Sequence, residues 1–151
     1  MWSAQAYGAV MSDEAVPVRR IVVALDRSEH SRGALRRGAT EAIDHSGRLE
    51  VLRAWSYLDQ PGPSFDPHYG EAKVREEVSQ IVDEVLGDDR PADTTFVIVN
   101  DLPARAIIEA SHGAFMLVLG ARGTGGFRGL LLGSVSQQAV NHASCPVLIV
   151  R

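Results

Sequence analysis

The sequence contains one cysteine, Cys145, and one lysine, Lys73. A single thiol excludes an internal disulfide and any metal site built from several cysteines. In the setting "SCPVLIV" it reads as a small buried apolar residue rather than a reactive thiol. Long apolar runs are absent as well. The longest, Ala114 to Leu119, falls far short of the roughly 20 residues that span a bilayer, so no membrane-spanning helix is expected. Basic stripes are also missing. Arginines occur singly or in pairs such as Arg19-Arg20 and Arg36-Arg37, without the run that would neutralise successive phosphates, and nucleic acid is not expected as a partner. His30, His45, His68, His112 and His142 show no metal-ligand spacing, and no G-x-S-x-G elbow or Cys/His signature supplies a nucleophile. The first residues lack the basic start and sustained apolar middle of a secretory signal, so a cytoplasmic protein is expected.

What is present is an ordinary globular composition: 151 residues, 45% hydrophobic and 23% charged, with a net charge of -4. That suits a single core. Residues 1–16 carry no clear period and are expected to form a loose extension to one domain over 17–151. Short β-rich runs then alternate with segments of helical period, the pattern of a parallel sheet covered by helices. "RIVVALD" is apolar enough for a strand covered on both faces. In the helix after it Ser28 suits the N-cap, with Ala34, Leu35, Ala39, Ala42 and Ile43 as its apolar stripe. "LEVLRAWSY" is a second strand, and "QPGPSFDPHYG" is a loop, available as a flap, because proline and glycine break regular structure. Val74, Val78, Ile81, Val82, Val85 and Leu86 recur at helical spacing from Glu71 to Leu86. "TTFVIVN" is a third strand, followed by a short helix with Asp101 as candidate N-cap and Pro103 in its first turn. "FMLVLG", a helix from about Ser134 to His142, and "PVLIV" complete the pattern. The expected fold is α/β: an open doubly wound sheet of five parallel strands with helices on both faces and right-handed crossovers.

Such sheets bind ligands at the carboxyl ends of their strands, where strand order reverses. The loops after Asp26, Trp55 and Gly120 lie at those ends. The last of them holds Gly120, Gly123, Gly125, Gly126, Gly129 and Gly133, a cluster that implies positive φ or a close approach by the backbone. It runs from a strand to Gly133-Ser134 at a helix start, where unpaired N–H groups and the positive dipole end suit an anion. Ser134 can add a hydroxyl, as donor or N-cap, and Arg122 and Arg128 positive charge. This is a phosphate site by its physics, yet neither common motif fits. A P-loop needs Lys and Ser/Thr where Gly126 and Phe127 stand, and a G-x-G-x-x-G fingerprint needs glycine where Arg128 stands. Asp26, at the end of a strand, suits acceptance from a ribose or adenine group, a cap on the first helix, or an arginine pair. Trp55 suits stacking on a base and a core position equally.

The segment does match G-x2-G-x9-G-[ST] through Gly120, Gly123, Gly133 and Ser134. Here the chain resembles the universal stress protein family, in its ATP-binding branch. "IVVALDRSEHSRGALRRGA" is similar to the family's first strand and helix and "SCPVLIV" to its last strand, so the resemblance covers about Arg19 to Arg151. It implies a Rossmann-like domain of the adenine nucleotide alpha hydrolase type that binds ATP with Mg or Mn. It also implies a homodimer joined through Pro146 to Val150. Carried over residue by residue, adenine and ribose contacts fall on Ala24, Leu25, Asp26 and the backbone of Ala54. Phosphate and ribose contacts fall on Leu119, Gly120, Gly123, Gly133, Ser134 and Val135, with Arg122 lining the loop. Two positions depart from the family: Asp101 stands where glycine is usual, placing negative charge near the nucleotide mouth, and Phe115 replaces an aspartate, altering packing. The function implied is nucleotide-dependent regulation of a stress-linked partner with little or no catalysis. A preference for cyclic AMP, weak ATP hydrolysis, and a nucleotide-free dimeric interaction module stand as alternatives.

Overall fold

Along β1 (Arg20–Ala24) the neighbouring residues Val22 and Val23 point to opposite faces and are both fully buried, so the sheet must be covered on both sides. The computed structural model describes residues 16–124, 129 and 131–151; the expected extension over 1–16 therefore lies almost wholly outside the described residues. After β1 come α1 (Glu29–Asp44), β2 (Arg48–Trp55), α2 (Glu71–Leu86), β3 (Thr94–Asn100), α3 (Pro103–Ser111), β4 (Met116–Gly120), α4 (Ser134–His142) and β5 (Val147–Val150). The strands form one parallel sheet in the order β3-β2-β1-β4-β5. Ile21 of β1 registers with Leu49 on one side and Met116 on the other, so the order reverses between β1 and β4.

On one face Ile21, Val23, Leu49 and Val51 pack beneath Ala34, Leu35 and Ala39 of α1 and Val74, Val78 and Val82 of α2. On the other, Val22, Leu52, Leu117 and Leu119 meet Ala106 and Ile107 of α3 and Ala139 of α4. Each fully buried valine or leucine contributes about 2 kcal/mol. The expected architecture is the one observed.

Local details correct the reading in several places. Ser28 does cap α1, its Oγ accepting from Ser31 N at 3.2 Å, but Ile43 is 58% exposed. Ala42 takes the inward position, and the next residue, 100° around the helix, turns to water. Asp101 is not the N-cap of α3. Leu102 holds that position, and the Asp101 carboxylate accepts from Leu102 N at 2.6 Å and pairs with Arg105 one turn on. Gly133, not Ser134, is the N-cap of α4, and no side chain caps that helix. Trp55 is 5% exposed, its ring met edge-on by Tyr57 and Tyr69 at 5.3 and 5.9 Å, so it serves the core. Phe115 sits at the opposite end of the sheet from the crevice, where its ring packs at a tilt against His45 and lies under Arg19. Cys145 is half-buried against the α3/α4 core, and burial pushes its thiol pKa up. Among the described residues no helix is long and apolar enough to cross a membrane.

Candidate functional site

β1 and β4 are neighbours whose following segments part, one into α1 and the other into the glycine-rich loop, and a crevice opens between them. It leads into a cavity of about 740 Å³. All eleven residues singled out from the sequence line it. Ala24, Leu25 and Asp26 come from the end of β1, Ala54 from β2, and Leu119 and Gly120 from β4. Arg122 and Gly123 begin the loop, and Gly133, Ser134 and Val135 start α4.

The described glycines of the loop answer why the backbone is bare there. Gly120, Gly123 and Gly133 all have ordinary φ; among the described residues the glycines with positive φ are Gly62, Gly87 and Gly113, elsewhere in the fold. Close approach is the reason at Gly120 and Gly123, whereas a Cβ on Gly133 would meet only ordinary contacts, at 3.4 Å and beyond, and one on Gly129 would meet nothing within 4 Å. A Cβ on Gly120 would stand 2.7 Å from the backbone carbon of His30, and one on Gly123 would stand 2.7 Å from Asp26 Oδ2. The first turn of α1 thus lies directly on the end of β4, and the loop lies on the Asp26 carboxylate. Gly125 and Gly126, together with Arg128, lie outside the described residues.

Asp26 is a bracket. Its Oδ1 accepts from Ser28 N at 2.7 Å and its Oδ2 from Thr124 N at 3.2 Å, tying the start of α1 to the loop. It pairs with no arginine among the described residues. Ser31 Oγ, buried beneath, accepts from Asp26 N and donates back to the carbonyls of Asp26 or Ser28. At the other side of the loop, Gly133 N donates to Ala121 O and Ser136 Oγ to Gly120 O, both at 2.7 Å, stitching α4 to the end of β4. The remaining first-turn N–H groups of α4 have no intrahelical acceptor and give the crevice a partly positive end. Arg122 joins no ion pair among the described residues and adds charge to that end.

On the β2 side sequence reasoning named Ala54 but passed over the polar side chains. Arg27, next to Asp26, donates to Glu77 at 2.8 Å, to the Tyr69 hydroxyl at 3.0 Å and to Asp59 O at 3.0 Å, which holds the segment after β2 against α2. Burial opposes its charge, but Glu77 and Tyr69 outweigh that and raise its pKa. Arg53 is 7% exposed and Gln60 half-buried, and both line the cavity. Neither leaves a spacing signature: Arg53 interrupts a strand run, and Gln60 opens the Pro/Gly segment. Asp101 is not a lining residue, so its charge is held by Arg105 beside the crevice rather than in it. A smaller hollow of about 460 Å³ lies on the outer side of α3 and α4 and is lined by Leu102, Arg105, Ile108, Glu109 and Gln138. Among the described residues no cluster of three His, Cys, Asp or Glu side chains exists to hold a metal ion.

Comparison with known proteins gives a consistent result. The model of the universal stress protein family matches residues 17–151. A universal stress protein of Thermus aquaticus is 34% identical over 139 residues, covering 88% of this chain and 98% of that protein. One from Mycobacterium tuberculosis is 33% identical over 153 aligned positions, covering 95% of this chain and 48% of that protein. The chain thus spans about half the length of the mycobacterial relative. Among solved structures, a universal stress protein from Lactobacillus plantarum superposes with a TM-score of 0.71 at 23% identity, covering 90% of this chain and 99% of its own. A universal stress protein in complex with cAMP gives 0.66 at 24%, covering 88% and 96%. One from Archaeoglobus fulgidus in complex with dAMP gives 0.63 at 19%, covering 89% and 98%. At these identities the structures establish the shared fold.

Proposed function

The chain belongs to the universal stress protein family, and we propose that the cavity at its switch point binds an adenine nucleotide, ATP with a divalent cation, as a regulatory ligand. The observation that carries this reading is the crevice itself. A backbone-lined loop and the N-terminus of α4 face the β1 and β2 ends across one cavity of nucleotide-compatible size. Complexes of two structural neighbours with cAMP and dAMP support the adenine nucleotide class.

In this reading the α4 N–H groups, Ser134 and Arg122 take the phosphates, while Ala24, Leu25, Asp26 and Ala54 border the ribose and base. The donor set suits Mg or Mn only as a companion of the phosphates, since no protein cluster among the described residues could hold the ion alone. Bound there, the ion would neutralise phosphate charge. The inner carboxylate, Asp26, already accepts two backbone hydrogen bonds, which favours a positioning role over that of a general base and supports binding over turnover. A homodimer through Pro146–Val150 is proposed with it. β5 is an edge strand whose four apolar residues are all half-buried, the kind of edge that pairs with another. Light scattering that returns a single chain mass would remove the dimer.

The decisive experiment is to denature freshly purified protein and identify any released nucleotide by chromatography and mass spectrometry. Recovery near one equivalent per chain supports the site. No release, together with no heat or melting shift on titration with ATP-Mg, removes nucleotide binding and leaves the dimeric interaction module. Preference for cAMP in competition, or steady phosphate release that Gly133→Ala abolishes, would replace ATP as the regulatory ligand with those alternatives.

A further inference from the structure

We infer that Arg53 and Gln60 form a base-reading pair, donating hydrogen bonds to acceptor ring nitrogens of the purine; the inference rests on the nucleotide reading above. Arg53 is 7% exposed, and its guanidinium carries five N–H donors. Among the described residues its one hydrogen bond runs from Nη1 to Leu25 O at 3.4 Å, and no carboxylate lies within ion-pair distance. A buried arginine is normally paired, because an uncompensated charge away from water is costly. Glu50 of the same strand pairs with Arg20 and Glu77 with Arg27, while Asp26 and Asp59 share the cavity lining with Arg53 but make no ion pair with it among the described residues.

Gln60 shows the same deficit. Its Oε1 accepts from Asp66 N at 2.7 Å, which fixes the orientation of the amide. Its Nε2 is then buried without a partner. Both residues line the cavity from β2 and the segment that follows it, across from α4. This end therefore offers donors.

A nucleotide whose phosphates lie on the α4 end directs its base toward β2. Unpaired donors there require acceptors, and the ring nitrogens of a purine supply them without a charge. Arginine recognises purine edges in the same way in nucleic-acid complexes. A second anion at this end is the competing occupant, and the test separates the two.

Calorimetric titrations of native protein, Arg53→Met and Gln60→Leu would use ATP, ATP analogues carrying carbon in place of N1, N3 or N7, and inorganic tripolyphosphate. We expect one analogue to bind the native protein tenfold or more weakly than ATP. Arg53→Met should bind ATP tenfold or more weakly and lose that discrimination, with tripolyphosphate affinity unchanged and the ligand-free melting temperature unchanged or raised. Equal ATP affinity in native and Arg53→Met protein overturns the inference while leaving the nucleotide site standing. A parallel loss of tripolyphosphate assigns Arg53 to an anion instead, and a melting temperature several degrees lower assigns it to structure. Native protein that binds no nucleotide overturns the site and this inference together.

Discussion

The two ends of the cavity are made of different material. At the α4 end the walls are largely backbone: Gly120 lies so close to the His30 backbone that no side chain fits, Gly123 rests on the Asp26 carboxylate, and Gly133 and Ala121 are joined main chain to main chain. At the β2 end the walls are side chains, with Arg27 fully engaged and Arg53 and Gln60 left with spare donors. An end built from backbone tolerates almost no substitution and leaves a spacing that survives in sequence. An end built from side chains can be rewritten one residue at a time, which makes it the natural place for selectivity.

The largest expected effect breaks the first end. Gly120→Ala places its Cβ 2.7–2.9 Å from His30 backbone and Cβ atoms, and helix α1 must shift as a body. Overpacking of this kind costs about 2–3 kcal/mol, read as a lowered urea midpoint, with loss of nucleotide binding. Gly62→Ala is the matched control. Its φ of 95° strains any side chain but nothing stands within 4 Å, so a loss of about 1 kcal/mol with unchanged binding is expected. Equal effects on binding from both would show that Gly120 matters for stability alone.

Next comes the bracket between the two ends. Asp26→Ala strands Ser28 N and Thr124 N together. At about 1 kcal/mol for each lost hydrogen bond, the protein should lose about 2 kcal/mol in denaturant titration and bind ATP at least tenfold more weakly. Asp26→Asn retains one acceptor oxygen and should fall midway. Were Asp26→Ala to leave Thr124 amide exchange unchanged, the tie between α1 and the loop would be absent in solution.

This division also explains what the sequence reveals. The sheet and helices are legible because burial on both faces forces apolar strands such as Arg20–Ala24, and because α2 keeps Val74, Val78, Val82 and Leu86 inward at one spacing. The positions of the α4 end are legible through their glycine spacing, although the physical cause at Gly120 and Gly123 is close approach rather than positive φ. Caps are displaced by one residue at α3 and α4 because Asp101 and Ser134 are chemically suited to a position that Leu102 and Gly133 occupy by backbone geometry. Arg53 and Gln60 are illegible: their significance lies in partners they lack, and a missing partner has no spacing.

A smaller effect sharpens the β2 end without touching the other. Arg27→Met releases Glu77, the Tyr69 hydroxyl and Asp59 O at once. The ion pair is about one-third exposed, so solvent screening limits the stability change to about 1 kcal/mol or less. Hydrogen exchange should rise across residues 57–70 and stay constant in the first turn of α4. A rise at both places would mean that the two ends move as one unit.

The smallest effect belongs to pH. The Lys73 ammonium, donating to Asp66, and the His68 N–H hold the Asp66 carboxyl below the usual aspartate range. A carboxyl whose folded pKa is depressed stabilises the fold above its unfolded value, and that contribution disappears as pH falls through the lower folded value. The window therefore lies below about pH 4, and the Asp66 contribution is constant between pH 7 and pH 5. The Asp66 side chain is 39% exposed, and solvent screening keeps the consequence local. Through its N–H it holds Gln60 Oε1, and loosening of the 60–70 segment at low pH should free the Gln60 amide before any global unfolding. Exchange corrected for intrinsic rates, compared between native protein and Lys73→Met, reads this directly: the variant should show at pH 7 the loop exchange that the native protein reaches only in acid. If the two match at pH 7, the Lys73 contact has no hold on the segment, and Gln60 is fixed by its backbone bond alone.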